Sequence, residues 1–162
     1  MKFKYLSWED IEKSCLNMYS TMSYDKYKPD IVIGLLWGGV VPTRLFVDFL
    51  DIERTNVKAI YASLYKGIAS RGGEAEIIPH YVKEDIEGKK VLLLDDIKDS
   101  GKTMNAALRE LVVLNCEVKT ATLVWRSKNK GIAPDYYDIE IADDTWVSFP
   151  WERFETNREL NK

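Results

Sequence analysis

The sequence has few of the residues that build metal clusters and nucleophilic active sites. Of its 162 residues, one is histidine, His80, and two are cysteines, Cys15 and Cys116. The cysteines lie far apart in sequence and have no histidine or cysteine neighbours at the spacing of metal ligands. His80 follows a proline in a predicted loop and has no partners for a catalytic triad. A zinc site and a triad are therefore not expected, and the cysteines are interpreted as buried free thiols.

Long apolar runs and an excess of positive charge are also missing. No stretch approaches the roughly 18 apolar residues of a membrane span, and the amino terminus lacks a signal-peptide core. The net charge is −3 with a sequence pI near 5.3, which argues against a general nucleic-acid binder. We therefore expect one cytoplasmic domain, residues 1–162, with no nucleic-acid or membrane partner.

The most informative stretch runs from Val91 to Thr103. Four apolar residues, Val91–Leu94, are followed by the acids Asp95 and Asp96, a pattern typical of a buried strand of a parallel sheet that ends in acid. Apolar residues then recur at nearly helical spacing over 102–116, so a helix is predicted directly after the loop.

The loop between this strand and this helix is predicted to bind phosphate. Backbone N–H groups and the positive end of the helix dipole converge there, and Ser100 and Thr103 add hydroxyl donors. The residues Ser100 to Thr103 imitate the end of a Walker loop, but that motif requires glycine where this chain has Asp96. An acid there would repel a triphosphate, whereas two carboxylates beside one phosphate site suit a sugar phosphate.

The rest of the chain alternates strands and helices, which predicts an α/β fold with a doubly wound, mainly parallel sheet of about five strands. The strand that carries Asp95 is expected at or near the centre, and a small C-terminal hood over about 126–152 is expected to cover the top. The remaining predicted strands are 31–36, 57–65 and 118–125, with edge strands at 77–79 and 81–82; helices are predicted to begin at Trp8 and at Val40.

Three further loops follow predicted strands. Trp37-Gly38-Gly39 is interpreted either as a second anion-binding loop, in which glycines let the backbone approach a pyrophosphate, or as a tight connection only. Residues 66–76 contain three glycines and two basic residues, which is typical of a mobile active-site lid or of a plain hairpin tip. The basic loop 126–131 is expected either to overlook the same crevice or to be a solvated turn.

The stretch 91–103 resembles the PRPP-binding signature of the type I phosphoribosyltransferases at every position: four aliphatics, two acids, an aliphatic, any residue, then Asp-Ser-Gly, any residue, Thr. Over nearly its whole length the chain resembles the short bacterial and archaeal 6-oxopurine phosphoribosyltransferases. The further matching segments are 66–68, 134–137 and 146–152.

This resemblance implies an enzyme that transfers the 5-phosphoribosyl group from PRPP to hypoxanthine, guanine or xanthine, with Mg²⁺, as a homodimer or homotetramer. It implies Asp99 as the catalytic group beside purine N7, and Asp96 and Glu152 as candidate metal contacts. The implied PRPP-binding residues are Asp95, Asp96, Lys98, Asp99, Ser100, Gly101, Lys102, Thr103, Trp37, Gly38 and Gly39; those implied for the base are Arg126, Trp146 and Val147.

Two positions depart from the family pattern. Trp37 stands where relatives usually carry arginine, which removes a positive charge from the expected pyrophosphate site. Arg126 stands where relatives usually carry a lysine that binds the 6-oxygen of the base, and the two side chains are not interchangeable. Trp37 keeps open the alternative of a non-catalytic PRPP sensor, and a phosphoribosyltransferase for another base is the third possibility.

Overall fold

The computed structural model of the chain describes residues 2–64, 75–127 and 131–160. The strands are β1 (Lys2–Tyr5), β2 (Ile31–Leu36), β3 (Val57–Leu64), β4 (Ala75–His80), β5 (Lys90–Lys98), β6 (Glu117–Arg126), β7 (Tyr136–Ile141) and β8 (Thr145–Ser148). The α-helices are α1 (Trp8–Tyr24), α2 (Val40–Phe49), α3 (Lys83–Ile86), α4 (Lys102–Val113) and α5 (Arg153–Leu160), and Arg54–Asn56 form a 3-10 turn.

Six strands form the main sheet in the order β4-β3-β2-β5-β6-β7. All neighbours are parallel except β3 and β4, so the predicted doubly wound, mainly parallel fold is confirmed, with one strand more than expected. β5 lies between β2 and β6, near the centre as predicted. The predicted edge strand at 81–82 is wrong, because these two residues lead directly into α3 and β4 pairs with β3 instead.

Strand β5 continues through both acids, whereas the sequence predicted that it ends at them. The ladder with β6 extends from Lys90, opposite Glu117, to Lys98, opposite Trp125. This pairing provides hydrogen-bond partners for the backbone N–H and C=O groups beyond the apolar segment, so the strand continues where the apolar side chains end. Asp95 and Asp96 therefore project from a rigid strand rather than from a flexible turn.

The core has two layers because successive side chains of a strand point to opposite faces of the sheet. Leu92 and Leu94 of β5 belong to the cluster under α1 and α2, whereas Val91 and Leu93 belong to the cluster under α4. Residues buried in the first cluster include Ile11, Cys15, Met18, Val32, Phe46 and Leu123, and those in the second include Ile33, Ile60, Met104, Ala107 and Leu111. Helices thus cover both faces.

The amino-terminal segment completes the hood, which the sequence did not reveal. β1 pairs in parallel with β8, and Phe3 lies opposite Trp146 in this two-stranded sheet. All four residues of β1 are exposed, so no apolar alternation marks it as a strand. The predicted helix start at Trp8 is confirmed, and Ser7 and Asp10 form a capping box there. Within the described ranges, no helix is long and apolar enough to cross a membrane.

Candidate active site

The strand order places the predicted site at the point where the sheet reverses its winding. From β2 the chain passes through α2 to β3 on one side, and from β5 it passes through α4 to β6 on the other. β2 and β5 are parallel neighbours, with Gly34 opposite Leu94. Ligands of open α/β sheets bind in the crevice at the carboxyl ends of two such strands. The loops after β2 and β5 line that crevice.

The glycine loop packs directly against the acidic end of β5. A Cβ atom at Gly38 would overlap the carboxylate of Asp96, and one at Gly39 would lie 2.5 Å from the carbonyl oxygen of Leu94. The N–H of Gly39 donates to the carbonyl of Leu35 at 2.8 Å, and the Leu36–Trp37 peptide bond is cis. Both glycines are therefore required for contact between the two loops, whichever ligand binds there.

Trp37, between β2 and these glycines, is 75% exposed. Its indole faces solvent at the crevice end of the sheet, where the resemblance leads one to expect a cation. The loop consequently offers backbone groups to a ligand, but no charge from this position.

Burial and mutual repulsion dominate the electrostatics of the acidic end of β5. Burial, with the charge of Asp96 beside it, raises the pKa of Asp95 well above its usual range. Burial, with the charge of Glu152, raises the pKa of Asp96 to about 7. Glu152 lies in the segment before α5, where its carboxylate accepts a long hydrogen bond of 3.5 Å from the N–H of Phe149, and burial raises its pKa too. Burial thus disfavours the ionised forms of these carboxyl groups, and a bound cationic group would favour them.

The loop from Asp99 to Gly101 turns the chain into α4. Gly101 is the residue before the helix and has a φ of +73°, a left-handed conformation that favours glycine. Its carbonyl accepts the first helical hydrogen bond, from the N–H of Asn105 at 2.8 Å. The amino terminus of this 12-residue helix therefore lies at the crevice, where the sequence predicts a phosphate site.

The side chain of Lys98 packs beside Gly101 of that loop and continues to the segment before β7. Its side chain is buried, and its ammonium group donates to the carbonyl oxygen of Ile132 at 2.7 Å. Burial lowers the pKa of Lys98. This contact anchors the segment before β7 to the end of β5, a link that the sequence did not indicate. A direct contact of the Lys98 ammonium with PRPP stays a prediction.

Arg126, at the end of β6, reaches two parts of the site. Its Nε donates to Oδ1 of Asp99 at 2.7 Å, and its Nη1 donates to backbone carbonyls in the turn between β7 and β8. The predicted catalytic carboxylate and the predicted base-binding arginine are therefore brought together as an ion pair. The sequence placed both residues at one crevice but did not indicate that they touch.

The aromatic residues of the hood have two different roles. Phe149 is buried and stacks on Trp151 with ring centroids 4.8 Å apart, so this pair caps the core. Trp146 is 43% exposed and lines a cavity of about 140 Å³ together with Glu152, Glu155 and Thr156. The next residue, Val147, is buried. Trp146 therefore offers an aromatic face to a flat ligand.

A larger cavity, of about 530 Å³, lies between α2 and the strands β2 and β3. Its lining is mainly apolar and includes Leu36, Val40 and Val47. It does not include the acids of β5, the start of α4 or Trp146, so cavity size does not identify the site here. The predicted lid at 66–76 lies outside the described residues except for Ala75 and Glu76, which begin β4.

A glycine loop, a carboxylate pair and a helix start that meet at the switch point of a doubly wound sheet define a protein that binds a phosphorylated ligand bearing hydroxyl groups. The family described as the phosphoribosyl transferase domain matches residues 5–154. The chain belongs to this family.

Named relatives cover most of the chain. Hypoxanthine-guanine phosphoribosyltransferase of Saccharomyces cerevisiae is 26% identical over 92% of this chain and 85% of its own length. Xanthine-guanine phosphoribosyltransferase of Desulfotalea psychrophila is 27% identical over 91% of this chain and 84% of its own. Among solved structures, a purine phosphoribosyltransferase from Pyrococcus horikoshii is 30% identical, with a TM-score of 0.76 and coverage of 93% and 94% of the two chains.

Proposed function

We propose that this protein is a purine salvage phosphoribosyltransferase that transfers the 5-phosphoribosyl group of PRPP to a 6-oxopurine, namely hypoxanthine, guanine or xanthine. The observation that carries the proposal is the contact between the glycine loop and the buried carboxylate of Asp96 in β5, next to the start of α4. These are the parts that a sugar bearing a pyrophosphate and a monophosphate requires. The names of the relatives support a purine base as acceptor.

In this reaction the bond between ribose C1′ and the pyrophosphate oxygen breaks, and a bond forms between C1′ and purine N9. The leaving pyrophosphate takes the bonding electrons, so the ribose passes through a state with positive charge at its ring. Asp95 and Asp96 would hold the ribose hydroxyls, and their negative charge would favour that cationic state over the uncharged ribose ring of the substrate. Their raised pKa values indicate that ionisation of these groups is unfavourable in this buried site. A cationic transition state would stabilise the ionised forms.

The loop from Asp99 to Thr103 would hold the 5′-phosphate through backbone N–H groups at the start of α4. Ser100 and Lys102 belong to this cradle by the same resemblance. Asp99 would lie beside purine N7 and accept or share the proton that the base gives up as N9 attacks. Trp37, Gly38 and Gly39 would contact the pyrophosphate through their backbone.

The purine would stack on Trp146, whose exposed indole is the one aromatic face described at the small hood cavity. Backbone groups around Val147 would form hydrogen bonds with the edge of the base. The resemblance places Arg126 near the 6-oxygen of the base.

The residues present fit Mg²⁺ as a partner of the substrate. Asp96 and Glu152 supply hard carboxylate oxygens. Burial raises the pKa of both groups, so a bound cation would stabilise their ionised forms. The described residues contain no group of three or more potential ligands, so substrate oxygens would complete the coordination. When bound, the ion would neutralise the departing pyrophosphate.

Oligomeric state and localisation follow the same proposal. A homodimer or homotetramer is expected from the resemblance, and light scattering coupled to size-exclusion chromatography would measure it. Cys15 and Cys116 are free thiols, which supports a reducing compartment such as the cytoplasm.

The test is incubation with PRPP, Mg²⁺ and each of hypoxanthine, guanine, xanthine and adenine, with nucleotide formation followed by chromatography. We expect turnover with at least one 6-oxopurine and little with adenine. PRPP binding without turnover of any base would reject the enzyme and favour a PRPP sensor.

The Asp99→Asn variant should lower kcat by about 100-fold while it changes the PRPP dissociation constant by less than about threefold, because a general base contributes mainly in the transition state. Equal loss of turnover and PRPP binding would remove the role assigned to Asp99.

A further inference from the structure

Arg126 is the residue that joins the two halves of the site. Its side chain is only 12% exposed, although Asp99, its partner, is 58% exposed. The Nε of Arg126 donates to Oδ1 of Asp99 at 2.7 Å. A guanidinium group holds its N–H donors in one rigid plane, so this bond also fixes the direction of the other nitrogens.

The second nitrogen, Nη1, holds the turn that leads into the hood. It lies 2.8 Å from the carbonyl oxygen of Ala142, 3.1 Å from that of Asp143 and 3.0 Å from that of Thr145. Trp146 follows Thr145 directly in β8. Arg126 therefore connects the predicted catalytic carboxylate to the backbone that positions the predicted stacking ring.

These bonds engage Nε and Nη1, two of the three guanidinium nitrogens, and contact of either one with a base would disrupt them. To reach the 6-oxygen of a purine with Nε or Nη1, the guanidinium would have to leave either Asp99 or the carbonyls of the turn. Hydrogen bonds that involve a charged group are stronger than those between neutral groups, so the observed arrangement opposes such a movement. The buried stem of the side chain opposes it as well.

We propose that Arg126 is a positioning residue, which orients Asp99 and the 142–145 turn relative to each other, rather than the group that recognises the 6-oxygen of the base. The proposal rests on the proposed function, because it concerns how that site discriminates and turns over its base. It follows that recognition of the 6-oxygen falls to other groups of the hood, such as the backbone near Val147.

Binding of two product nucleotides separates positioning from recognition without requiring turnover. Inosine 5′-monophosphate carries the 6-oxygen, and purine riboside 5′-monophosphate lacks it. The experiment measures the dissociation constants of both nucleotides by titration calorimetry for the wild type, Arg126→Lys and Arg126→Met. Arg44→Lys, an exposed arginine of α2 paired with Asp48, is the matched control.

A positioning role predicts that both Arg126 variants weaken both nucleotides by the same factor, about tenfold, because the hood loses its anchor while the 6-oxygen contact is untouched. The ratio of the two dissociation constants should stay within about twofold of the wild-type ratio. A selective loss of about tenfold or more for inosine 5′-monophosphate would overturn the proposal.

Kinetics supply a second measurement that a purely structural role would not change. A lysine ammonium carries the charge but cannot reach both Asp99 and the turn, so Arg126→Lys should keep kcat within about threefold and raise KM for the base about tenfold. Arg126→Met should lower kcat as well. Because Arg126 acts through Asp99, this loss should be smaller when Asp99 has already been replaced with asparagine than in the wild type. Full additivity with Asp99→Asn would contradict the proposal.

Different results would reject the proposed function and the positioning role of Arg126. A wild type that binds nucleotides without turnover would reject the enzyme, but the calorimetric ratio would still decide the role of Arg126. Turnover that persists with a selective loss for the 6-oxo nucleotide would reject only the positioning role.

Discussion

Replacing Asp96 with asparagine should stabilise the folded protein at neutral and alkaline pH while it damages the site. Asp96 is 5% exposed, and burial together with the charge of Glu152 raises its pKa from 3.8 to about 7. Between these values the folded state binds more protons at Asp96 than the unfolded state does. The free energy of unfolding therefore falls as the pH rises from about 4 to about 7 and is level above that.

The size of the effect follows from the same pKa values. At about 1.36 kcal/mol per pKa unit, the difference between about 7 and 3.8 corresponds to an upper limit of about 4 kcal/mol. Asparagine keeps a polar side chain at the position and leaves the other two carboxylates in place. We therefore expect Asp96→Asn to gain about 1–3 kcal/mol at pH 8 and less than about 1 kcal/mol at pH 5.

Urea denaturation of the ligand-free protein, followed by tryptophan fluorescence at pH 5, 6, 7 and 8, would measure this gain. Asp143→Asn, at an exposed position of the hood turn, is the control and should show no pH-dependent gain. A stability difference between Asp96→Asn and the wild type that is equal at pH 5 and pH 8, or a loss at both, would refute the argument from buried charge. Turnover of the same variant should fall by about 100-fold or more.

Two further predictions concern the glycine loop. Trp37→Arg should lower the dissociation constant of pyrophosphate about five- to tenfold, because it places a cation beside the loop. The control is Tyr24→Arg, which adds the same charge at an exposed position on α1. An equal gain in affinity in both variants would contradict the argument. Gly38→Ala should weaken PRPP about tenfold with little change in fold, because its Cβ would displace the carboxylate of Asp96. Calorimetric titration measures both effects, and unchanged PRPP affinity in Gly38→Ala would show that the contact between the loops is not needed.

The parts of the fold that were predicted correctly are those with a local signal. Helix α1 carries a capping box at Ser7, and β5 begins with four buried aliphatic residues in succession. The alternation of strands and helices indicated the doubly wound sheet, because parallel neighbours require crossover connections. Strand β1 has no such signal, since it is exposed along its length and pairs with β8, more than 140 positions away in the chain.

The candidate site shows the same division. The segment Asp95–Thr103 is contiguous, so its order of acids, serine, glycine and threonine indicates a strand end and a phosphate loop without reference to other parts of the chain. The space that Gly38 leaves for Asp96 could not be predicted, because it depends on the register between β2 and β5. The raised pKa of Asp96 likewise arises from its burial and from the charge of Glu152, which the folded hood brings near it.

The sequence by itself determined the family, the alternation of strands and helices in the main sheet and the residue types at the phosphate loop, since each is encoded in consecutive or regularly spaced residues. Only the tertiary structure decided that Lys98 turns to Ile132, that Arg126 binds Asp99 and the hood turn together, and that Trp146 is exposed while Phe149 is buried. These are contacts between residues far apart in sequence. Their distances and directions arise from packing, which no local pattern specifies.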